Sequence, residues 1–491
     1  MSHLEEGASI LKRNITFGNV LILVVLYALG FAVIDRARRP RLPTTLPVVG
    51  YRGGLLSGIK TFFGAMYIPA WLQEGYEQYS KHGQSFVLPG EFGSAPQIVL
   101  PREQLRWLVE KPDNVLSTGA AHYDMLHGAY SFMTPELLQN PYHEHVIHRS
   151  LSRNLATLIP EIEDEVQRCL DDALGTDTDS WKHVNVWDAV FRIVPRLTNR
   201  MLVGAALNRN PDYLRSVVKY AEAVVRNVVI LNFIPRGLHP FAGRLLGCIT
   251  TYHFRQAAAL TMPIIEERLE AFERHAVGDP AFAGWTAPND YISWHISLAR
   301  AEGRAEELSA TRIAQRLMPL NFAAIHTTTL AVHGMLLNLA ATDPAHDFLS
   351  GIREEAQRVR TEEGGRWSKR GLARLHRADS ALRESMRAAP SMQTIVARKV
   401  VAAAGVVNPA EGWRAPRGAL LVLPHVPMAQ DADVFAEPGE YDAFRHSRSR
   451  EEFDARPVEK RDADESLKIM QGSLVTTGLQ HLAFGHGRHA W

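Results

Sequence analysis

The chain has 491 residues, 46% of them hydrophobic, and its 54 basic and 53 acidic side chains leave a formal charge of +1. That balance gives none of the concentrated basic surface that nucleic-acid binding demands, so no nucleic-acid partner is expected. Two cysteines, Cys169 and Cys248, exclude a disulfide framework and any four-cysteine metal site within the chain. They suit a domain that faces the reducing cytosol.

After a short N-terminal segment (residues 1–14), residues 15–35 read as a membrane anchor, uncharged from Ile15 to Ile34. About 20 apolar helical residues span a hydrocarbon core of roughly 30 Å. Arg36, Arg38, Arg39 and Arg41 follow. Positive charge resists translocation, which predicts a retained single-pass anchor with the downstream body in the cytosol. Residues 36–53 form a basic, proline-rich connector that separates anchor from body, because Pro40, Pro43 and Pro47 lack backbone donors and fix their own dihedrals.

The body, residues 54–491, shows helical spacing of apolar residues over 69–83, 160–175 and 187–207. Residues 310–341 are too apolar for a surface helix and predict a buried central helix, with Asn321 and His326 arguing against a second membrane span. Helical pattern resumes over 348–359 and 371–389, then short strands are expected at 394–397, 399–401 and 419–426. The stretch 433–472 is polar and turn-rich. The expected fold is mainly α with a small β region towards the carboxyl end.

Four local patterns carry chemistry. Glu384 and Arg387 stand three apart and share a helical face, which favours pairing; alone, such a pair is common on any surface. Arg445, after Pro438 and Glu440, could join them in a network holding two distant segments in register; the plain alternative is a solvated turn arginine. Phe484-Gly485-His486-Gly487-Arg488-His489 suits a tight turn passing close to a ligand. Inside the apolar helix, Ala323-Ala324-Ile325-His326-Thr327-Thr328 sets small residues beside groups that can relay protons to a flat ligand. A hydroxyl bonded back to its own helix would explain the threonines equally well.

In this order, the patterns resemble the cytochrome P450 family over essentially the whole chain, and especially fungal secondary-metabolism members similar to ent-kaurene oxidase. The resemblance implies that Glu384, Arg387 and Arg445 form the structural triad. It makes Phe484, Gly487 and His489 part of the heme loop. It sets His145 and Arg149 where the family has Trp-x-x-x-Arg, and Arg398 where a second propionate-binding arginine is common. Thr327 would deliver protons, with His326 as a variant relay. The implied cofactor is heme b, with NADPH reaching it through NADPH–cytochrome P450 reductase. The implied substrate is a lipophilic small molecule, a terpenoid by analogy. The implied location is the endoplasmic reticulum membrane. The substrate pocket is expected from residues 117–133, 224–239, the 317–326 face and 389–395.

One position departs from the family. The thiolate that ligates the iron belongs at residue 491, where this sequence has Trp491. Indole offers only a donor N–H. Two expectations compete. In one, a cysteine codon split by an intron has been read through as tryptophan and stop. In the other, the product is a heme-free or inactive binding protein. A third possibility is a metal site built on His143, His145 and His148.

Overall fold

The computed structural model describes residues 39–50, 64–90 and 95–490 apart from Pro235, with scattered positions between 18 and 33. The expected anchor therefore falls mostly outside the described residues. Those described within it are helical and exposed. Trp491 also lies outside them.

The longer helices are α1 (Ile68–Gln78), α2 (Thr118–Met125), α3 (Tyr142–Leu174), α4 (Val186–Leu202), α5 (Pro211–Phe233), α6 (His239–Ala276), α7 (Tyr291–Ala301), α8 (Ala310–Ala341), α9 (Phe348–Glu362), α10 (His376–Ala388), α11 (Arg448–Ala455) and α12 (Ala463–Met470). The last two lie in the stretch read as turns. Proline inside a helix removes one backbone donor and bends the chain without ending it when the flanking turns are packed; Pro319 in α8 and Pro160 in α3 are such cases.

The central position of α8 follows from its composition. It packs against α4, α5, α6 and α10, and Ile313, Leu317, Leu320 and Ile325 are buried in the largest apolar cluster. α8 is the one helix among the described residues long and apolar enough to cross a membrane, and it serves instead as the core. Its first turn is capped by Ser309, whose side chain accepts from the Arg312 N–H at 3.2 Å. Buried Arg316 pairs with buried Glu307 and donates to the Asn140 carbonyl, tying α8 to the start of α3. Asn321 accepts from Asn199 at 2.8 Å, and Tyr213 donates to Asn199 at 2.9 Å, so one buried polar chain joins α8, α4 and α5.

The β region is a five-stranded sheet, order β1-β2-β7-β4-β3, from β1 (Phe86–Leu88), β2 (Gln97–Val99), β3 (Leu116–Ser117), β4 (Ile395–Val400) and β7 (Leu420–Leu423). β5 (Val406–Val407) and β6 (Arg414–Ala415) form a separate hairpin. β2 and β7 run parallel; the other pairings are antiparallel. The proline-rich connector does more than separate: Leu46 and Val49 are buried, and Val48 bridges Val87 on β1.

Glu384 and Arg387 pair on α10 with both side chains buried: Arg387 donates from Nε to Oε2 at 2.8 Å and from Nη2 to Oε1 at 2.7 Å. Arg445 adds Nε to Oε1 at 3.0 Å. The remaining guanidinium donors of Arg387 reach the Ala429, Pro438 and Glu440 carbonyls. Burial raises the Glu384 carboxyl, but the hydrogen bonds from Arg387 and the approach of His446 and Arg445 outweigh it and hold the group at about 2. Removing one partner leaves a buried charge uncompensated, so Arg387→Ala should cost about 3–5 kcal/mol in urea unfolding. The Glu384 carboxyl is lower folded than unfolded. Its contribution should be complete above the ordinary carboxylate value and be lost as pH falls towards about 2, a loss absent from Glu384→Gln.

Candidate active site

A cavity of about 600 Å³ lies between α8, α3, α2, α4, β4 and the C-terminal loop. α8 contributes Leu320, Ala324 and Thr328, at intervals of four that keep them on one face. Ala324 leaves room where a larger side chain would fill the space. α3 contributes Glu144, Ile147, His148 and Leu151, again one helical face. α2 adds Thr118, His122 and Met125, and α4 adds Thr198, Met201 and Leu202. The far wall is Met392 and residues 394–398, closed by Phe484, Gly485, His486 and His489.

The wall at β4 depends on a backbone irregularity. The β4–β7 register shifts between Ile395 and Arg398. Val396 sits in the left-handed region at φ 56°, which a β-branched residue rarely adopts. Ideal alternation would turn every second side chain away. The bulge lets Ile395, Val396, Ala397 and Arg398 all reach the cavity. In the closing loop, Gly487 has φ 78°, and a Cβ there would meet Val109 at 3.1 Å, so the glycine is required. His489 bonds Asp113 at 2.9 Å, and Arg488 reaches the Lys111 carbonyl, which pins the loop.

One end of the cavity is electropositive. Arg398 is buried, and its one hydrogen bond, 3.0 Å to the Ala397 carbonyl, leaves it without an ion pair among the described residues. Burial, eased by Asp113, lowers it to about 10. His122 is pushed down to about 4 by burial and by the fields of Arg398 and His489. Thr118, one turn before His122, has a buried hydroxyl with no partner. Burial and Asp113 raise the Glu144 carboxyl to about 7.

The sequence-predicted residues divide accordingly. Arg398, Phe484 and His489 line the cavity, and Gly487 shapes its loop. His145 and Arg149 do not. His145 turns to Glu302 at 2.7 Å, and exposed Arg149 lines a separate cleft with Arg153 and Trp294. The cavity-facing register of α3 is offset by one residue, to Glu144 and His148. Nor do His326 and Thr327 line it. Thr327 donates to the Ala323 carbonyl at 2.6 Å. His326 meets Phe191 edge-on at 5.6 Å, and its buried Nδ1 has no partner. The residue of this helix that brings a hydroxyl to the cavity is Thr328. Residues 224–239, expected in the pocket, contribute nothing to it. His143, His145 and His148 point three ways, and no metal-holding group of three or more His, Cys, Asp or Glu occurs among the described residues.

Sequence reasoning missed the α3 face and the whole contribution of α4. The spacing 144, 147, 148, 151 marks one helical face, but Ile147 and Leu151 in it carry no signal that separates a cavity wall from ordinary core.

An apolar cavity with an unpaired guanidinium and an orphaned hydroxyl at one end fits a flat apolar ring carrying carboxylates, as heme does. Neither cysteine offers a thiolate to such a group: Cys169 is buried away from the cavity, and Cys248 is exposed on α6.

The family model "Cytochrome P450" matches residues 134–490. The cytochrome P450 monooxygenase gloP of Glarea lozoyensis is 31% identical over 429 residues, covering 85% of this chain and 76% of that protein. The cytochrome P450 monooxygenase astC of Aspergillus terreus is 28% identical over 490 residues, covering 99% and 89%. The cytochrome P450 monooxygenase htyF of Aspergillus rugulosus is 31% identical over 455 residues, covering 90% and 64%. Matched over most of its length by the family model and at this identity by monooxygenases, the chain belongs to the cytochrome P450 family of oxidoreductases.

Proposed function

We propose that the protein is a heme-thiolate monooxygenase that inserts oxygen into a C–H bond of a lipophilic secondary metabolite, with a terpenoid as the first class to test. The observation that carries this reading is buried, unpaired Arg398 at the end of an apolar cavity floored by Ala324. With a thiolate ligand, heme supplies the oxygen activation, and the protein supplies binding and orientation. Arg398, His122, His489 and Thr118 would hold the carboxylates of the ring. His148 is the α3 residue placed to join them. Leu320, Leu151 and Met201 would keep water from the apolar remainder. Thr328 would present the hydroxyl that passes protons, since the Thr327 hydroxyl is committed to its own helix. Electrons would come from NADPH through a membrane-bound reductase. The anchor at 15–35 would hold the protein on the endoplasmic reticulum.

Trp491 favours a second reading for the polypeptide as translated: an inactive protein that binds a ligand without redox chemistry. Sequencing the messenger RNA across codon 491 separates the two. We expect a cysteine codon, and with it a thiolate-type carbon monoxide spectrum in the expressed protein. A tryptophan codon in every transcript, with no such spectrum, rejects the monooxygenase reading for this product.

An unpaired buried cation is costly. Arg398→Met should therefore raise the stability of the ligand-free polypeptide by about 1–3 kcal/mol in thermal unfolding. The same change should weaken heme retention in equilibrium titration. Arg149→Met, on the opposite face of α3, should leave both measurements unchanged.

A further inference from the structure

A second, much smaller cavity lies beside the buried pair of Glu384 and Arg387. It has about 20 Å³ of free space and is bordered by α10, the short helix His425–Ala429 and residues 479–483. That volume holds one water molecule or one bare ion. Four of the bordering residues carry lone-pair donors: Met386 on α10, His425 and Met428 on the short helix, and His481. His425 and Met428 stand three apart and so share a helical face. His425, Met428 and His481 are buried. The backbone sets the tautomer of both rings. His425 donates from Nδ1 to the Met392 carbonyl at 3.2 Å, and His481 donates from Nε2 to the Leu474 carbonyl at 2.8 Å. In the neutral rings this leaves a lone pair on Nε2 of His425 and on Nδ1 of His481. The two rings are close enough that a charge on His425 would oppose one on His481.

The balance of donors and acceptors decides what suits this space. Arg387 also borders it, but its guanidinium is committed to Glu384 and to the Ala429, Pro438 and Glu440 carbonyls. Among the described residues no carboxylate borders the cavity. Two imidazole lone pairs and two thioethers are all acceptors. One water has two protons to give, and thioether sulfur accepts them weakly. A cation can serve all four at once. A hard divalent ion takes oxygen ligands, and it would set two further charges beside Arg387. Thioether sulfur selects copper(I), which carries a single charge. An imidazole that ligates a metal donates its other N–H to a carboxylate or backbone carbonyl, which fixes ring and tautomer; both rings already do so. The unbranched methionine chains can adjust to bring sulfur onto an ion. We propose that Met386, His425, Met428 and His481 form a binding site for one copper(I) ion, separate from the large cavity. An ion held there would tie α10 to the segment that enters the closing loop at Phe484.

Cysteine thiols also bind copper(I), so the test uses the full chain with Cys248→Ser, which removes the exposed one and leaves buried Cys169. It is titrated without oxygen with copper(I) held on a chromophoric chelator. The expected result is one equivalent of copper(I) taken from the chelator, bound at least about tenfold more weakly in Met386→Leu and in Met428→Leu. Leucine conserves the volume of methionine, so both variants should fold, and circular dichroism checks that they do. Met470→Leu, at an exposed position, should leave binding unchanged. X-ray absorption at the copper edge needs no variant: sulfur and nitrogen are expected together in the first coordination sphere. No uptake from the chelator overturns the proposal, and the cavity is then a water site. Binding that neither leucine variant weakens, or a copper shell of nitrogen and oxygen alone, overturns it as well. Displacement of the copper(I) by an equal concentration of zinc(II) overturns the choice of ion.

Discussion

Glu384 is the point through which α10 and the polar segment after β7 are held together. Its carboxylate is fully buried and takes hydrogen bonds from one arginine on its own helix and one some sixty residues later. Through Arg387 the same charge network binds the Ala429, Pro438 and Glu440 carbonyls. The segment after β7 has little apolar surface of its own with which to fold. Neighbouring residues on α10 extend the hold. Arg383 donates to the Gln471 and Ser473 carbonyls, and Asp379 pairs with Arg450 and accepts from the Leu474 N–H. The polar region therefore arrives at Phe484 in a fixed position. The glycine loop closes the cavity only because a buried ion network upstream has set its approach. In isolation such a network returns little over an apolar core of equal volume. Its value here is register between distant segments.

How much of this could be read from the sequence depends on whether a residue's role is set by local chemistry or by orientation. The core helix α8 was legible, because an apolar run of that length interrupted by Asn321 and His326 suits a protein interior better than a membrane. Glu384, Arg387 and Arg445 were singled out by resemblance, since their spacing alone fits a surface pair and a solvated turn arginine, and the structure brings the three together. The positive φ of Gly485 and Gly487 matches their reading as a tight turn. Orientation was harder. A helix rotates about 100° per residue, so a one-residue error of register on α3 exchanges the cavity face for the solvent face. That is the whole difference between His148 and Arg149. The same holds on α8, where Thr327 and Thr328 are chemically alike and only the rotation of the helix separates them. Helix α6 gave weaker pattern because its apolar residues lie on more than one face.

The β4 bulge could not have been anticipated from pattern. Valine, being β-branched, is ill suited to the left-handed region, and nothing in the run Ile395–Val400 marks a register shift. The reason for it is visible only against the cavity, where four consecutive side chains serve as wall. Strain of this kind costs on the order of 1–3 kcal/mol and persists where surrounding structure over-determines it. Here β4 is held between β7 and β3 on its two edges, and Val400 and Val396 are buried in the apolar cluster behind the sheet.

Arg398 lies on the same short strand, two residues from Val396. One strand thus carries both a strained backbone and a desolvated, unpaired cation. A fold that only had to be stable would favour neither. Both costs are local to the β4 side of the cavity wall, while the buried triad and most of the core around α8 lie away from that side. That separation lets the wall stay in a conformation that an incoming anionic group would relieve. The guanidinium is already desolvated and aimed before any ligand arrives, so ordering it costs nothing at the moment of binding.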